Sequence, residues 1–160
     1  MQPGQILVAS ETGVYVIKML GDVRLTLCMS FDDFIDGMFS DPDFCSVMFD
    51  LGEVQAIDST TLGLMAKISI LGRERKGVTP IIYSACASID RLLDSMGFSD
   101  IFDIVHEADI PTSINRPLPA SDLQEADVKE KVIEAHRILM ELNDANRETF
   151  KDLVNILESN

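Results

Sequence analysis

The stretch that decides the fold is VMFDLGEVQAIDSTTLGLMAKISILGRERKG, residues 47–77. Its beginning completes a short apolar run, FCSVMFD (44–50), which is typical of a buried β-strand. After a short loop, the polar residues DSTT at positions 58–61 open an apolar, helix-like run that reaches Lys76. Gly77 suits the position that follows a helix, and the basic residues before it suit the negative end of the helix dipole. The stretch therefore predicts a strand, a loop and a helix, with hydroxyl groups concentrated at the helix start.

The segments on either side continue this alternation. Strand-like runs lie at 5–10, 14–20, 79–85 and 101–108, and a helix-like run lies at 88–97. An earlier helix is predicted to end before Pro42, because proline cannot continue a helix. Its apolar side consists of Leu27, Phe31, Phe34 and Met38, and its acidic side of Asp32, Asp33 and Asp36. The order ββαβαβαβ predicts an α/β fold with a mixed, mostly parallel sheet, because strands that alternate with helices pair in parallel. The first two strands are the antiparallel exception, joined by a hairpin loop.

The C-terminal part of the chain has a different character. We predict a domain over 1–108, a proline-containing linker over 109–120 and a helical extension over 121–160, which begins with a capping box at Ser121. The extension carries a mostly apolar seam with alternating spacings of four and three residues, typical of a long amphipathic, coiled-coil-like helix: Val128, Val132, Ala135, Leu139, Leu142, Asn146, Thr149, Leu153 and Ile156.

Two questions about the extension stay open at this point. The helix either packs on its own domain or docks with a second chain, for instance as a homodimer. Unbroken, it would span roughly 55 Å at about 1.5 Å per residue. It would therefore overhang the domain or fold back as a hairpin near residues 143–146.

Composition limits the classes of partner. The 160 residues carry a formal charge of -14, with a pI near 4.3 and a mean hydropathy of +0.15. Such a surface repels nucleic-acid phosphates and anionic lipid, so we expect a protein partner and no direct binding to nucleic acid or membrane. The N-terminus lacks the features of a signal peptide and no apolar run is long enough to span a bilayer, so we expect a cytoplasmic protein.

The sequence shows no catalytic or metal-binding constellation. Cys28, Cys45 and Cys86 are predicted to be reduced core residues, and no His/Cys cluster indicates a metal. The segment 72–77 has the glycine spacing of a P-loop, but Val78 stands where a P-loop has its lysine. The segment also ends a helix, whereas a P-loop precedes one.

The two histidines give little support to an enzyme. His136 is expected on the solvent flank of the C-terminal helix, and His106 is expected to be solvated. A hydrolase that uses Ser59 and His106 is the enzymatic alternative, but no base or oxyanion arrangement is indicated. We expect a protein without enzymatic activity, cofactor or metal.

The hydroxyl groups at 58–61 favour a different chemistry. A single polar residue suffices to cap a helix. A serine at this position also lies at the positive end of the helix dipole, where a phosphate group would find free backbone amides. Phosphorylation adds nearly two negative charges, which would disrupt a partner surface matched to the neutral hydroxyl. We therefore expect Ser59 to lie on an exposed surface as the site of a covalent charge switch.

The chain resembles a known family. The segment from Val47 through Asp50-Leu51 and Ile57-Asp58-Ser59-Thr60 to Leu62-Gly63-Leu64 is similar to the STAS domain of anti-sigma factor antagonists, whose motif Asp-Ser-Ser-Gly-Leu-Gly opens a helix after an apolar strand. The element order and the stretch DRLLDSMGF (90–98) also match, so that the resemblance covers about residues 5–108. With its helical extension, the chain looks similar to acidic antagonists of the HsbA type.

The resemblance implies a function and a site. In the family, the serine after the aspartate is phosphorylated by a partner kinase, often the anti-sigma factor itself. The unmodified protein binds that partner, and a PP2C-type phosphatase restores the unmodified state. Carried over by position, Ser59 is the phosphorylation site and Thr60 the alternative acceptor. The implied partner-binding residues are Asp50, Gly52, Asp58, Ser59, Thr60, Thr61 and Gly63, with Asp50 in the loop at the strand end.

Two departures from the family motif concern this site. Thr61 replaces the glycine, which makes the loop less permissive and changes the contact with the partner. Thr60 replaces the second serine, which leaves threonine as an alternative site of modification. The sequence thus predicts an anti-sigma factor antagonist that sequesters an anti-sigma factor or a similar signalling protein while Ser59 is unphosphorylated. The alternative is a scaffold that assembles through its C-terminal helix without a phosphorylation switch.

Overall fold

The sheet and helices of the computed structural model follow the predicted alternation. The structure describes residues 2–110, 116–120 and 123–159. The strands are β1 (Gln5–Glu11), β2 (Val14–Val23), β3 (Ser46–Ile57), β4 (Ile81–Tyr83), β5 (Asp103–Val105) and β6 (Arg116–Pro117). The helices are α1 (Cys28–Ser40), α2 (Ser59–Lys76), α3 (Ala87–Ser95), α4 (Glu125–Leu142) and α5 (Asp144–Glu158).

The sheet is mixed and mostly parallel, as predicted. Within the described residues its strands lie in the order β5-β4-β3-β2-β1-β6. Strands β2 to β5 pair in parallel, whereas β1 pairs antiparallel with β2. The turn between β1 and β2 places Thr12 and Gly13 at positive φ, 48° and 82°, which a tight hairpin requires. The predicted α/β class is confirmed.

Strand β3 is longer than its apolar run indicated. It continues from Asp50 to Ile57, and β2 continues alongside it as far as Val23. The pairing shifts register on either side of Gly21, whose φ of 68° accommodates the irregularity. The residues that were predicted to form a loop before Asp58 are therefore mostly extended strand, and Asp50 lies within a strand rather than at its end.

Part of the predicted linker belongs to the sheet. Arg116 and Pro117 pair antiparallel with Val8 and Leu7 of β1, and the backbone N–H of Leu118 donates to the Ile6 carbonyl over 2.8 Å. The Leu118 side chain is buried in the core. The linker residues 111–115 lie outside the described residues.

The C-terminal extension is a helical hairpin rather than one long helix. The break lies at Asn143, whose side-chain oxygen accepts a hydrogen bond from the Asn146 backbone N–H over 2.8 Å and so caps α5. The side-chain amide of Asn146, itself buried, donates to the Met96 and Leu139 carbonyls over 2.9 and 3.0 Å. The hairpin alternative is confirmed, and we call α4 and α5 together the C-terminal hairpin. The predicted capping residue, Ser121, lies outside the described residues.

The hairpin packs on the domain of its own chain. Ala135 and Leu139 of α4 and Phe150 of α5 belong to the same hydrophobic core as the sheet. Because α2 is covered by this core and by α4, its first half is buried nearly all round, from Thr60 to Ala66. Among the residues that the structure describes, no helix is both long and apolar enough to cross a membrane.

The prediction for the cysteines is right for only one of them. Cys28 is buried, whereas Cys45 and Cys86 are exposed. Cys45 lies just before β3 and Cys86 just before α3, in short connections that the core does not cover. Both cysteines have apolar neighbours in the sequence, as buried residues of a strand do. The sequence therefore could not show that these two positions are exposed.

Candidate functional site

Asp58 is the residue that starts helix α2. It lies at the N-cap, and one carboxylate oxygen accepts a hydrogen bond from the Thr61 backbone N–H over 2.9 Å. The other oxygen accepts from the Leu25 N–H over 2.6 Å, and the Asp58 N–H donates to the Val23 carbonyl over 3.0 Å. Asp58 therefore ties the start of α2 to the end of β2, and its role is structural as well as electrostatic.

The three hydroxyl residues after Asp58 have different surroundings. Thr60 and Thr61 are buried, with 3% and 2% of their surface exposed. Ser59 is half-buried, which leaves it as the one hydroxyl of the three near the surface. This arrangement favours Ser59 over Thr60 as a modification site.

The Ser59 hydroxyl forms a hydrogen bond with a histidine of the C-terminal hairpin. Its oxygen lies 2.7 Å from Nε2 of His136. The other ring nitrogen, Nδ1, donates to the Val132 carbonyl over 2.7 Å, because a carbonyl oxygen can only accept. In the neutral ring Nε2 is then the acceptor, and Ser59 donates to it. The Phe150 ring of α5 packs edge-on against the imidazole, with ring centroids 5.0 Å apart.

Two predictions about these residues are wrong. His136 does not lie on the solvent flank of the extension, since only 2% of its surface is exposed. The Ser59 hydroxyl does not face solvent freely, because α4 lies against it. The spacing contained a signal, for His136 follows Val132 by four residues and precedes Leu139 by three, which places it on the buried helix face. The seam predicted for the extension was based on apolar spacing, so it did not include His136.

Helix α4 crosses α2 at a pair of small residues. Gly63 lies so close to Ala135 that an added Cβ would overlap the Ala135 carbonyl oxygen and come within 2.7 Å of its carbonyl carbon and Cβ. Glycine inside a helix costs about 1 kcal/mol relative to alanine. Here its lack of a side chain permits the close approach of the α4 backbone.

Four charged residues join α1, α2 and α4 in one cluster. Asp32 of α1 accepts from Lys67 of α2 over 2.8 Å and from Lys131 of α4 over 2.5 Å. Glu134 of α4 accepts from the same two lysines, over 2.7 Å in each case. We call Asp32, Lys67, Lys131 and Glu134 the ion-pair cluster.

The cluster keeps its charges despite burial. Burial acts to raise the pKa of Asp32, but hydrogen bonds from Lys131 and Lys67 outweigh it, so that the pKa lies below its ordinary value. Glu134 has a lowered pKa for the same reasons. Asp32 was predicted on the acidic side of its helix, and this is wrong, because it is buried. It follows Cys28 by four residues and precedes Ile35 by three, both of which are core residues, and two lysines compensate its charge.

The predicted site residues do not all come together. Asp58, Ser59, Thr60, Thr61 and Gly63 share the first turns of α2. Asp50 and Gly52 instead lie on β3, where an Asp50 oxygen accepts from the Gly52 N–H over 3.0 Å and the Tyr83 ring lies close to Gly52. No hydrogen bond or ion pair in the described part of the chain joins them to the start of α2.

The serine–histidine pair has two parts of a nucleophilic arrangement. The hydroxyl donates to the imidazole, and the Val132 carbonyl orients the ring as a third group. Both side chains lie in the contact between α2 and α4, where His136 is almost fully buried. The predicted partner of the enzymatic alternative, His106, lies elsewhere, exposed and 3.1 Å from Asp90. Over residues 2–110, 116–120 and 123–159, no group of three or more His, Cys, Asp or Glu residues could hold a metal ion.

Phosphorylation of Ser59 would remove the hydrogen bond to α4 in its present form. The Oγ proton that Ser59 donates to Nε2 of His136 would be replaced by the phosphorus atom. Modification of Ser59 would therefore weaken this contact with α4.

Comparisons with protein-family models and with curated proteins gave no match. Function is therefore inferred from the geometry of this site and from the resemblance of residues 5–108 to the STAS domain.

Proposed function

We propose that this protein is a phosphorylation-gated protein-binding switch with a STAS-type domain, which acts as an anti-sigma factor antagonist. The observation that carries the proposal is the start of α2. There an aspartate caps the helix, two threonines are buried, and Ser59 is half-buried with its hydroxyl in the contact with α4. The unmodified Ser59 surface binds an anti-sigma factor or a similar signalling protein, whose serine kinase activity modifies it.

The switch needs only a difference in affinity between two covalent states. A phosphate at Ser59 adds nearly two negative charges beside Asp58. A partner surface that fits the neutral hydroxyl would then bury an unpaired dianion, and tenfold weaker binding requires only about 1.4 kcal/mol. A PP2C-type phosphatase would restore binding.

The test is affinity capture with Ser59 variants, accompanied by phosphopeptide mapping of the wild-type protein from cells. We expect Ser59→Ala to retain the partner constitutively and Ser59→Asp to lose it, with phosphate found on the peptide that contains Ser59. Ser88→Ala and Ser88→Asp are the matched controls, since Ser88 is an exposed serine of α3 and does not belong to the start of α2. If the Ala and Asp variants retain the same proteins in the same amounts, the switch model is refuted.

A second candidate function is an assembly module, and one observation favours it. Two of the large apolar side chains that are exposed in the described residues lie on α5, Leu153 at 39% and Ile156 at 60%. A homodimer through this face predicts that Leu153→Lys with Ile156→Lys lowers the mass in analytical ultracentrifugation from dimer to monomer. A monomeric wild-type protein contradicts this candidate.

A further inference from the structure

Helix α4 occupies a stripe of α2 that begins at the proposed switch residue. Ser59, Gly63 and Lys67 follow one another at intervals of four, so they lie on one side of α2. Each meets α4: Ser59 bonds to His136, Gly63 packs on Ala135, and Lys67 pairs with Glu134. The contact therefore combines a polar, a steric and an ionic element.

We propose that this stripe of α2 is a helix-binding surface that α4 fills within the same chain, and that α4 must leave before a kinase or a protein partner reaches Ser59. The identification of the surface rests on the proposed function, whereas its occlusion by α4 is a property of this chain alone. The C-terminal hairpin is thus an autoinhibitory segment.

The chemistry of α4 indicates what the partner would offer. The stripe accepts a helix whose backbone comes close to Gly63, and the α4 residue at that point, Ala135, is small and fully buried. It also needs a hydrogen-bond acceptor for the Ser59 hydroxyl, as His136 provides, and a cation for Asp32, as Lys131 provides. A partner helix of this composition would replace the contacts that α4 gives up.

Release of α4 leaves the hydrogen bonds of the sheet in place, because the strands pair with each other and not with α4. It would expose Ala135 and Leu139, which share the hydrophobic core with the sheet. The buried charges of the ion-pair cluster stay partly compensated after release, since Asp32 keeps Lys67 on α2.

The experiment measures the accessibility of position 59 without any partner. The exposed cysteines are removed by Cys45→Ser and Cys86→Ser, Ser59→Cys supplies a reporter thiol, and buried Cys28 stays. The reaction of this thiol with a maleimide is then timed in the full chain. A thiol is a weaker hydrogen-bond donor than a hydroxyl, so the protection measured is a lower limit.

Two further substitutions displace α4 from its own side. Ala135→Leu places a larger side chain against Gly63, and Lys131→Glu opposes Asp32 with a second negative charge. We expect each to raise the labelling rate at least about tenfold, which corresponds to a shift in the opening equilibrium of the same size. Ala126→Leu is the matched control, because Ala126 is exposed on α4, and its rate should stay within about twofold of the parent.

A peptide of residues 123–142 tests the surface in trans. Added in excess to the Ala135→Leu protein, it should slow labelling again at least about fivefold, whereas the same peptide with Ala135→Leu should not. Circular dichroism shows whether each variant folds. If the Ala135→Leu protein does not fold, the labelling rate of the Lys131→Glu protein decides the test.

The proposal is overturned if the parent reacts as fast as an unfolded peptide, if neither folded variant reacts faster than Ala126→Leu, or if the altered peptide protects as well as the native one. None of these readouts involves phosphorylation. One combined outcome separates the two proposals. If displacement of α4 removes the protection of position 59, but the Ser59 variants bind the same partners equally, the proposed function is refuted and the occlusion by α4 is established.

Discussion

At the scale of single residues, the four polar residues at 58–61 have separate tasks. Asp58 caps the helix and binds the Leu25 backbone, Thr60 and Thr61 are buried, and Ser59 alone reaches the hairpin. The sequence predicted a helix start and a cluster of hydroxyl groups here. It could not show which residue caps the helix, which residues are buried and which one contacts the hairpin. Burial of Ser59 depends on α4, which lies more than 60 residues further along the chain.

Asp58→Ala should destabilise the protein because two backbone N–H groups lose their acceptor, those of Thr61 and Leu25. Loss of a helix cap costs about 1 to 2 kcal/mol, and we expect a decrease in the free energy of unfolding at the upper end of that range. Urea denaturation followed by circular dichroism measures it. Asp58→Asn keeps one capping oxygen for the Thr61 N–H but leaves the Leu25 N–H without an acceptor, so it should recover only part of the loss. Equal destabilisation by both variants would contradict the capping role.

At the scale of elements, periodicity predicted the strands and helices but not their partners. The bounds of α2 followed from Asp58 at one end and Gly77 at the other, where φ of 65° suits glycine. Strand β6 was missed because two residues ending in proline carry no strand pattern. Buried charges were missed as well, since Asp32 is stabilised by Lys67 and Lys131 from other helices. Such compensation is visible only once the elements are assembled.

The ion-pair cluster should make stability depend on acid pH. Asp32 has a lowered pKa in the folded protein, so its contribution is present above the ordinary pKa of about 3.9 and is lost as pH falls through the lowered value. At pH 7 we expect Asp32→Asn to lower the free energy of unfolding by about 3 kcal/mol, as for a buried charge pair that loses one partner.

The difference between wild type and Asp32→Asn should therefore shrink below about pH 4, where Asp32 becomes protonated in the unfolded protein but still carries its charge in the folded one. Denaturant unfolding at pH 7, 5 and 3 measures this difference. Asp36→Asn is the control, because Asp36 is exposed on the same helix. A difference that stays constant down to pH 3 would show that the cluster contributes no charge-dependent stability.

At the scale of the whole molecule, the chain consists of a mixed sheet with its helices and a hairpin that shares its core. Polar contacts join the hairpin to the rest at the start of α2, at the ion-pair cluster, and at the end of α3, where Asn146 donates to the Met96 carbonyl. Sequence alone left open whether the extension binds its own domain or a second chain. An apolar seam fits either partner, and the contacts of α4 with Ser59, Gly63 and Lys67 identify the partner as the domain of the same chain.

Native-state hydrogen exchange should separate the hairpin from the sheet. We expect amides of α4 and α5 to exchange through a partial opening, with protection factors at least about tenfold lower than those of β2 and β3, which open only on global unfolding. Exchange followed by mass spectrometry at increasing denaturant concentrations resolves the two processes. If α4 and β3 share one opening free energy and one denaturant dependence, the hairpin does not open separately.

The short edge strand β6 determines how far the hairpin can move. Since Leu118 is fixed to β1 and α4 begins at Glu125, only six residues lie between them, which is seven steps along the chain and about 25 Å when fully extended. A detached α4 thus stays at an effective concentration on the order of millimolar near α2. A partner present at micromolar levels must bind far more tightly than the tethered helix does. The protein would consequently ignore weak or scarce ligands and respond only above a threshold that the length of this tether sets.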